Sequence, residues 1–177
     1  MRKKNNKTAV TVVLMLMVVF GMLGLGSVFN PPRSPAQEPA TNQPAGFAER
    51  DATRKLALSC TLDSLTKFHI HPHLQIVVNG KNEIIPANVG ITVDCMRPIH
   101  THDTSGEIHV ESPEEIDFTL GDFFAVWQEP FSSGQILDYR VNSGHEILMT
   151  VDGRPSGEFE NLVLRDQQQI VIEYRIK

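Results

Sequence analysis

The stretch LQIVVNGKNEII, residues 74–85, decides the fold. Leu74 to Val78 is rich in β-branched side chains, which suit a pleated strand. Asn79-Gly80 follows, and both residue types tolerate the positive φ of a two-residue hairpin turn. Glu83-Ile84-Ile85-Pro86 then returns as the partner strand. Working outward, Glu107-Ile108-His109-Val110-Glu111 alternates polar and apolar residues, the pattern of a half-buried strand. Glu146 to Val151 reads as another strand, closed by Asp152-Gly153. Asn161 to Leu164 and Gln169 to Ile176 complete the chain. The last segment places Ile170, Ile172, Tyr174 and Ile176 on one face and Val171, Glu173, Arg175 and Lys177 on the other. One segment breaks this period. Leu120, Phe123, Phe124 and Trp127 stand at i, i+3, i+4 and i+7, which predicts a short helix capped by Thr119 and packed by its aromatic stripe. The expectation is an α+β fold, mostly β: a small mixed roll resembling a β-grasp with one short helix. A cupredoxin-like β-sandwich is the alternative.

The rest of the chain is organised by composition. Residues 1–7, MRKKNNK, hold four bases and no acid. Thr8 to Phe29 is uncharged and mainly apolar, and as a helix its 22 residues would span the roughly 30 Å hydrocarbon core. The flanking charge predicts a single-pass signal anchor in the cell membrane, with the N-terminus cytoplasmic and the remainder periplasmic or at the cell surface. Leu23 to Ser27 offers small residues, so cleavage of the signal is the competing expectation. Residues 30–54 contain five of the eleven prolines and read as a linker that resists regular structure. Residues 55–177 form the globular domain. Residues 1–54 carry seven bases and three acids, a balance of +4; residues 55–177 carry nine bases and eighteen acids, a balance of −9. That acidity excludes a nucleic-acid binder, which needs clustered Lys and Arg.

Two cysteines are too few for a disulfide scaffold or a four-Cys zinc module. Outside the membrane thiols oxidise, so Cys60 and Cys95 are expected to pair and to draw the two His-rich segments together. Free metal-binding thiols are the other reading.

All seven histidines lie between positions 69 and 145. Two segments concentrate them: His69-Ile70-His71-Pro72-His73, and His100-Thr101-His102-Asp103 continuing to His109. In an extended chain, residues i, i+2 and i+4 share a face. His69, His71 and His73 are therefore expected on one face, as are His100 and His102, and Glu107, His109 and Glu111. Imidazole suits copper and zinc. From Asp94 to Glu129 there are nine acids and one base, Arg97, a field that favours cations. The expected metal ligands are His69, His71, His100 and His102, with His73, Asp103 and His109 in reserve. His145 is isolated and is given no role. Met96 and Met149 could serve Cu(I) but are more often core filler.

Sharper motifs fail. No H-E-x-x-H occurs, so a zincin is not supported. His100-x-His102 with Glu107 matches only half of a cupin motif. No cysteine falls in a C-terminal cluster with His and Met, as blue copper requires. Nucleophile elbows and phosphate loops are absent from the sequence. A binding module is therefore favoured over an enzyme. The alternatives are a zinc-dependent hydrolytic or cupin-like enzyme, and a metal-free structural domain of a membrane complex.

FHIHPHLQIVVNG (68–80), IPANVGI (85–91), Cys95, IHTHDTSGEIHVES (99–112) and FTLGDFFAVW (118–127) together resemble a family of uncharacterised membrane-anchored extracytoplasmic proteins of bacteria and archaea. The resemblance covers roughly residues 58–177. It implies location and domain unity rather than an activity. Gln128 stands where the family pattern leads one to expect Gly, and Gln167-Gln168 where it leads one to expect an Asp-Gly-like turn. The overall expectation is an extracytoplasmic copper- or zinc-binding protein for sequestration, sensing or delivery. Its partners would be the membrane, through the N-terminal helix, the metal ion, and a membrane-protein or metal-trafficking partner.

Overall fold

A computed structural model describes residues 45–61 and 66–177. The expected basic segment and membrane anchor lie outside these residues. Among the described residues no helix is long and apolar enough to cross a membrane.

The chain opens with α1 (Ala45–Ala57), then β1 (Phe68–Ile70), β2 (His73–Val78), β3 (Lys81–Glu83), β4 (Ile91–Thr92), β5 (Cys95–Met96), β6 (Ile99–His100) and β7 (His109–Ser112). Helix α2 (Leu120–Trp127) follows, then β8 (Phe131–Ser132), β9 (Gln135–Ile136), β10 (Tyr139–Arg140), β11 (His145–Val151), β12 (Arg154–Pro155), a 3-10 turn at Phe159–Asn161, and β13 (Gln169–Ile176). The fold is α+β and mostly β, as expected, but with two α-helices among the described residues rather than one. Residues 45–54, assigned to the linker by composition, are helical. The physical reason is visible in hindsight: all five linker prolines lie at or before Pro44, so nothing after it breaks a helix.

The large sheet has the order β12-β11-β13-β2-β3. Its centre is a parallel pair, β2 with β13, running from His73↔Gln169 to Val78↔Tyr174. Hairpins flank that pair: β2–β3 through Asn79-Gly80, and β11–β12 through Asp152-Gly153. Asn79 and Gly80 have φ of 49° and 80°, the backbone that a tight primed turn demands. Helix α2 lies in the chain between these two hairpins. Leu74, Ile76 and Val78 are buried, as are Ile147 and Met149 of β11 and Ile170, Ile172 and Tyr174 of β13. Ile176 keeps the register of β13 but is exposed, at the end of the strand beyond the pairing with β2, which stops at Tyr174.

Helix α2 starts and ends as its sequence dictates. The Thr119 hydroxyl accepts from the Asp122 N–H, and the Asp122 carboxylate accepts from the Thr119 N–H at 2.8 Å. Such a reciprocal cap satisfies donors that a helix start leaves open. Leu120, Phe123 and Phe124 are buried and Trp127 partly so, which confirms the aromatic stripe as core. Arg54 of α1 pairs with the buried Asp122 carboxylate and ties the two helices together. The helix closes at Gln128 with φ of 66°.

Asn161–Leu164 is not a full strand. It holds the end of the 3-10 turn and a single bridge, Thr119↔Val163.

Candidate metal centre

The site sits on a second, three-stranded sheet of order β1-β7-β6. Its register follows from burial. Ile70 and Ile99 both lie opposite Val110, and all three are buried. Because side chains alternate, pinning this trio to the core sends its neighbours to the other face. There His69 stands opposite Glu111 and His100 opposite His109. Directly opposed residues of an antiparallel pair share a face and nearly touch. Four groups from three strands are thus brought together by the demand to bury three apolar side chains.

His71 and His102, just beyond the ends of β1 and β6, complete the cluster. Ring centroids of His71 and His109 lie 4.7 Å apart, and those of His102 and His109 lie 4.4 Å apart. Two sets of potential ligands result: His100, His102, His109 and Glu111, and His69, His71 and His109, with the donor atoms of each set within 4.8 Å of one another. A zinc–imidazole bond of about 2.0–2.1 Å implies donors about 3.3 Å apart around a tetrahedral ion. The separation is 3.2 Å for His100 Nε2 and His102 Nε2, 3.3 Å for His69 Nε2 and His109 Nδ1, and 3.0 Å for His69 Nε2 and Glu111 Oε1. Glu107 Oε1 lies 3.2 Å from His109 Nε2.

His100 is the buried root of the cluster, with no exposed surface. Its Nδ1–H donates to the Arg97 carbonyl at 2.9 Å. That bond fixes the tautomer and leaves the Nε2 lone pair facing His102, the arrangement that orients metal-binding histidines. Burial holds the His100 pKa below its ordinary value, against the opposing pull of the Arg97 carbonyl and Glu111. Burial also lowers the His109 pKa, helped by neighbouring His102, His71 and His100. Both shifts favour the neutral imidazole, the form that binds metal. Exposure rises outward, to 17% for the His109 side chain and 43% for His69. An ion can therefore reach the cluster from solvent.

Five of the expected ligands converge: His69, His71, His100, His102 and His109. His73 and Asp103 belong to neither set. The in-phase expectation for His69, His71 and His73 fails because the chain changes sheets. β1 ends at Ile70, and after Pro72 the chain enters β2 of the large sheet. There the His73 Nε2–H donates to the Ser105 carbonyl at 2.9 Å. Asp103 is taken up by its own turn, accepting from the Ser105 N–H at 2.8 Å. The added candidate donor is Glu111, whose signal was its two-residue spacing from His109. His145 stacks on Tyr174 with centroids 5.0 Å apart, and Met149 is core.

Cys60 and Cys95 are disulfide-bonded, with Cα atoms 5.1 Å apart. The bridge fastens the segment after α1 to β5, two residues before Arg97. The clefts lined by α1 and by Asn88–Thr92 with Trp127 contain none of the histidines. Comparison with protein-family models, curated proteins and solved structures finds no match. The chemistry of the cluster is therefore read from its own geometry.

Proposed function

We propose that this protein is a membrane-anchored, extracytoplasmic binder of copper or zinc, acting in sequestration, sensing or delivery of the ion. The convergence of five imidazoles and Glu111 on one sheet face is the observation that carries this reading. The disulfide supports an oxidising compartment, and the apolar run of residues 8–29 supports the anchor. An open sheet face with ligands at its rim suits uptake and release of an ion better than the enclosed pocket expected of a hydrolase. Delivery would engage a membrane-protein or metal-trafficking partner.

Calorimetric titration of the metal-free full chain, held in detergent, with Cu(II) and Zn(II) tests the reading. Binding at micromolar affinity or better is expected, and it should weaken on changing His100 and His102 to Ala. Absence of binding refutes the function. Binding that survives both substitutions unchanged refutes the site.

A further inference from the structure

The cluster offers more donors than one ion uses. Five imidazoles and one carboxylate make six ligands, whereas zinc takes four. These donors form two sets that overlap only at His109. We propose that the outer face of the β1-β7-β6 sheet holds two metal ions side by side. One is bound by His100, His102 and Glu111, the other by His69 and His71, and His109 stands between them within reach of both. This inference rests on the metal-binding reading above.

The register of β7 places the shared groups. It is the central strand, with β1 and its His69 on one side and β6 and its His100 on the other. His109 and Glu111 therefore lie along the seam between the two outer strands. Glu111 Oε1 is 3.0 Å from His69 Nε2 and 4.0 Å from His100 Nε2, so one carboxylate faces donors of both sets. Shared carboxylates are what allow two cations to sit close together in two-metal centres. Further acids stand at each flank. Glu107 Oε1 lies 3.2 Å from His109 Nε2, and Asp166 Oδ1 lies 3.8 Å from His71 Nδ1. Asp166 is held there by accepting the His71 backbone N–H at 2.9 Å. Two divalent ions need such negative charge to offset their repulsion.

The two positions are unequal. The His100 set is rooted in a buried imidazole of fixed tautomer and has an anionic donor. The His69 set lies at the rim, where both histidines meet solvent. The first ion is held firmly, and the second keeps water in its open positions and exchanges. A protein that hands metal to a partner needs an ion of this second kind.

The metal-free full chain in detergent is titrated with Cu(II), following stoichiometry by native mass spectrometry, affinity by calorimetry and electron paramagnetic resonance of the bound copper. Two ions are expected, the second at least about tenfold weaker, the order of effect that changes in ligand support produce. His71→Ala should abolish the second step and spare the first. The resonance intensity at two ions should fall below twice that at one, because neighbouring copper spins couple. A single ion with an affinity that His71→Ala leaves unchanged overturns the two-ion centre and leaves the single-ion reading standing. Two ions with simply doubled intensity, or a second step that survives His71→Ala, place the second ion elsewhere and also overturn it. Failure to bind any copper overturns the underlying reading as well.

Discussion

One added methyl group tests how tightly the backbone encloses His100. Gly90 has φ of 77°, a region that an L side chain enters at a cost of roughly 1–2 kcal/mol. A Cβ at this position would stand 2.6 Å from the Ile99 carbonyl oxygen, 2.9 Å from Val126 Cγ1 and 3.2 Å from His100 Cβ. The valine methyl can yield a little. The Ile99 oxygen belongs to β6, which is paired with β7 at Ile99↔Val110, so moving it moves the strand that carries His100. Overpacking of this kind costs about 1–3 kcal/mol, which brings Gly90→Ala to about 2–5 kcal/mol in total. Gly80 is the internal control. Its φ is 80° and nothing lies within 4 Å of its Cβ position, so Gly80→Ala carries only the backbone cost of roughly 1–2 kcal/mol. Thermal unfolding of the metal-free variants by circular dichroism measures the difference. At roughly 3–5 °C per kcal/mol for a domain of this size, Gly90→Ala should melt well below Gly80→Ala. Its copper affinity should fall too, while that of Gly80→Ala is unchanged. Equal melting temperatures for the two variants would refute the claim that Gly90 packs against the root of the site.

Three further outcomes are expected. Gln128→Gly relieves a left-handed helix terminus and should stabilise the protein by about 1 kcal/mol, read as a rise in Tm; an unchanged or lower Tm contradicts it. The lowered pKa values of His100 and His109 mean that the unfolded chain takes up protons before the folded one does. Their contribution to the stability of the metal-free protein is therefore complete above the ordinary imidazole pKa of about 6.5 and is lost as pH falls toward the folded values. Melting temperatures recorded with chelator between pH 8 and 5 should be level and then decline, and a rise on acidification would show the sign to be wrong. Glu111→Gln keeps the shape of the side chain and removes its charge, so copper affinity should drop about 10–100-fold, measured by competition with a chelator, whereas an unchanged constant removes Glu111 from the ligands.

How much of this was legible in the sequence depended on how local each signal is. The Asn79-Gly80 turn, the capped helix from Leu120 to Trp127 and the strand from Gln169 to Ile176 are written in a few adjacent residues and form where they are read, although the return strand of the hairpin is Lys81–Glu83 rather than Glu83–Pro86 and Ile176 is exposed. Helix α1 was hidden by averaging, since the proline-rich composition of residues 30–54 belongs wholly to residues up to Pro44. Gln128 and Gln167 both adopt positive φ, at 66° and 58°, a backbone region that Gly enters more readily than a residue with a side chain.

The histidine cluster shows where local reading stops. Spacing identified the histidines but not their partners, because a face is shared only as long as the chain stays in one sheet. His73 is two residues from His71 and keeps the right phase, yet it crosses Pro72 into the large sheet and its imidazole becomes a tether to Ser105. Glu111 and His69 are 42 positions apart (111 − 69) and meet because each neighbours a residue that must be buried, Val110 and Ile70. Charge and residue type say which groups can bind an ion. The packing of Ile70, Ile99 and Val110 says which of them stand together, so the candidate ligand set is a consequence of the core. Enlarging or shrinking those three side chains should therefore alter metal affinity without touching a ligand. Val110→Ala is the cleanest case, since Val110 is fully buried between the other two. Removing two methyl groups from a core site costs about 1–3 kcal/mol and frees β7 to shift under His109 and Glu111. Calorimetry on the folded variant should show weaker copper binding with the donor set intact. Wild-type affinity in a protein measurably destabilised by this change would mean that the ligands hold their positions independently of the core beneath them.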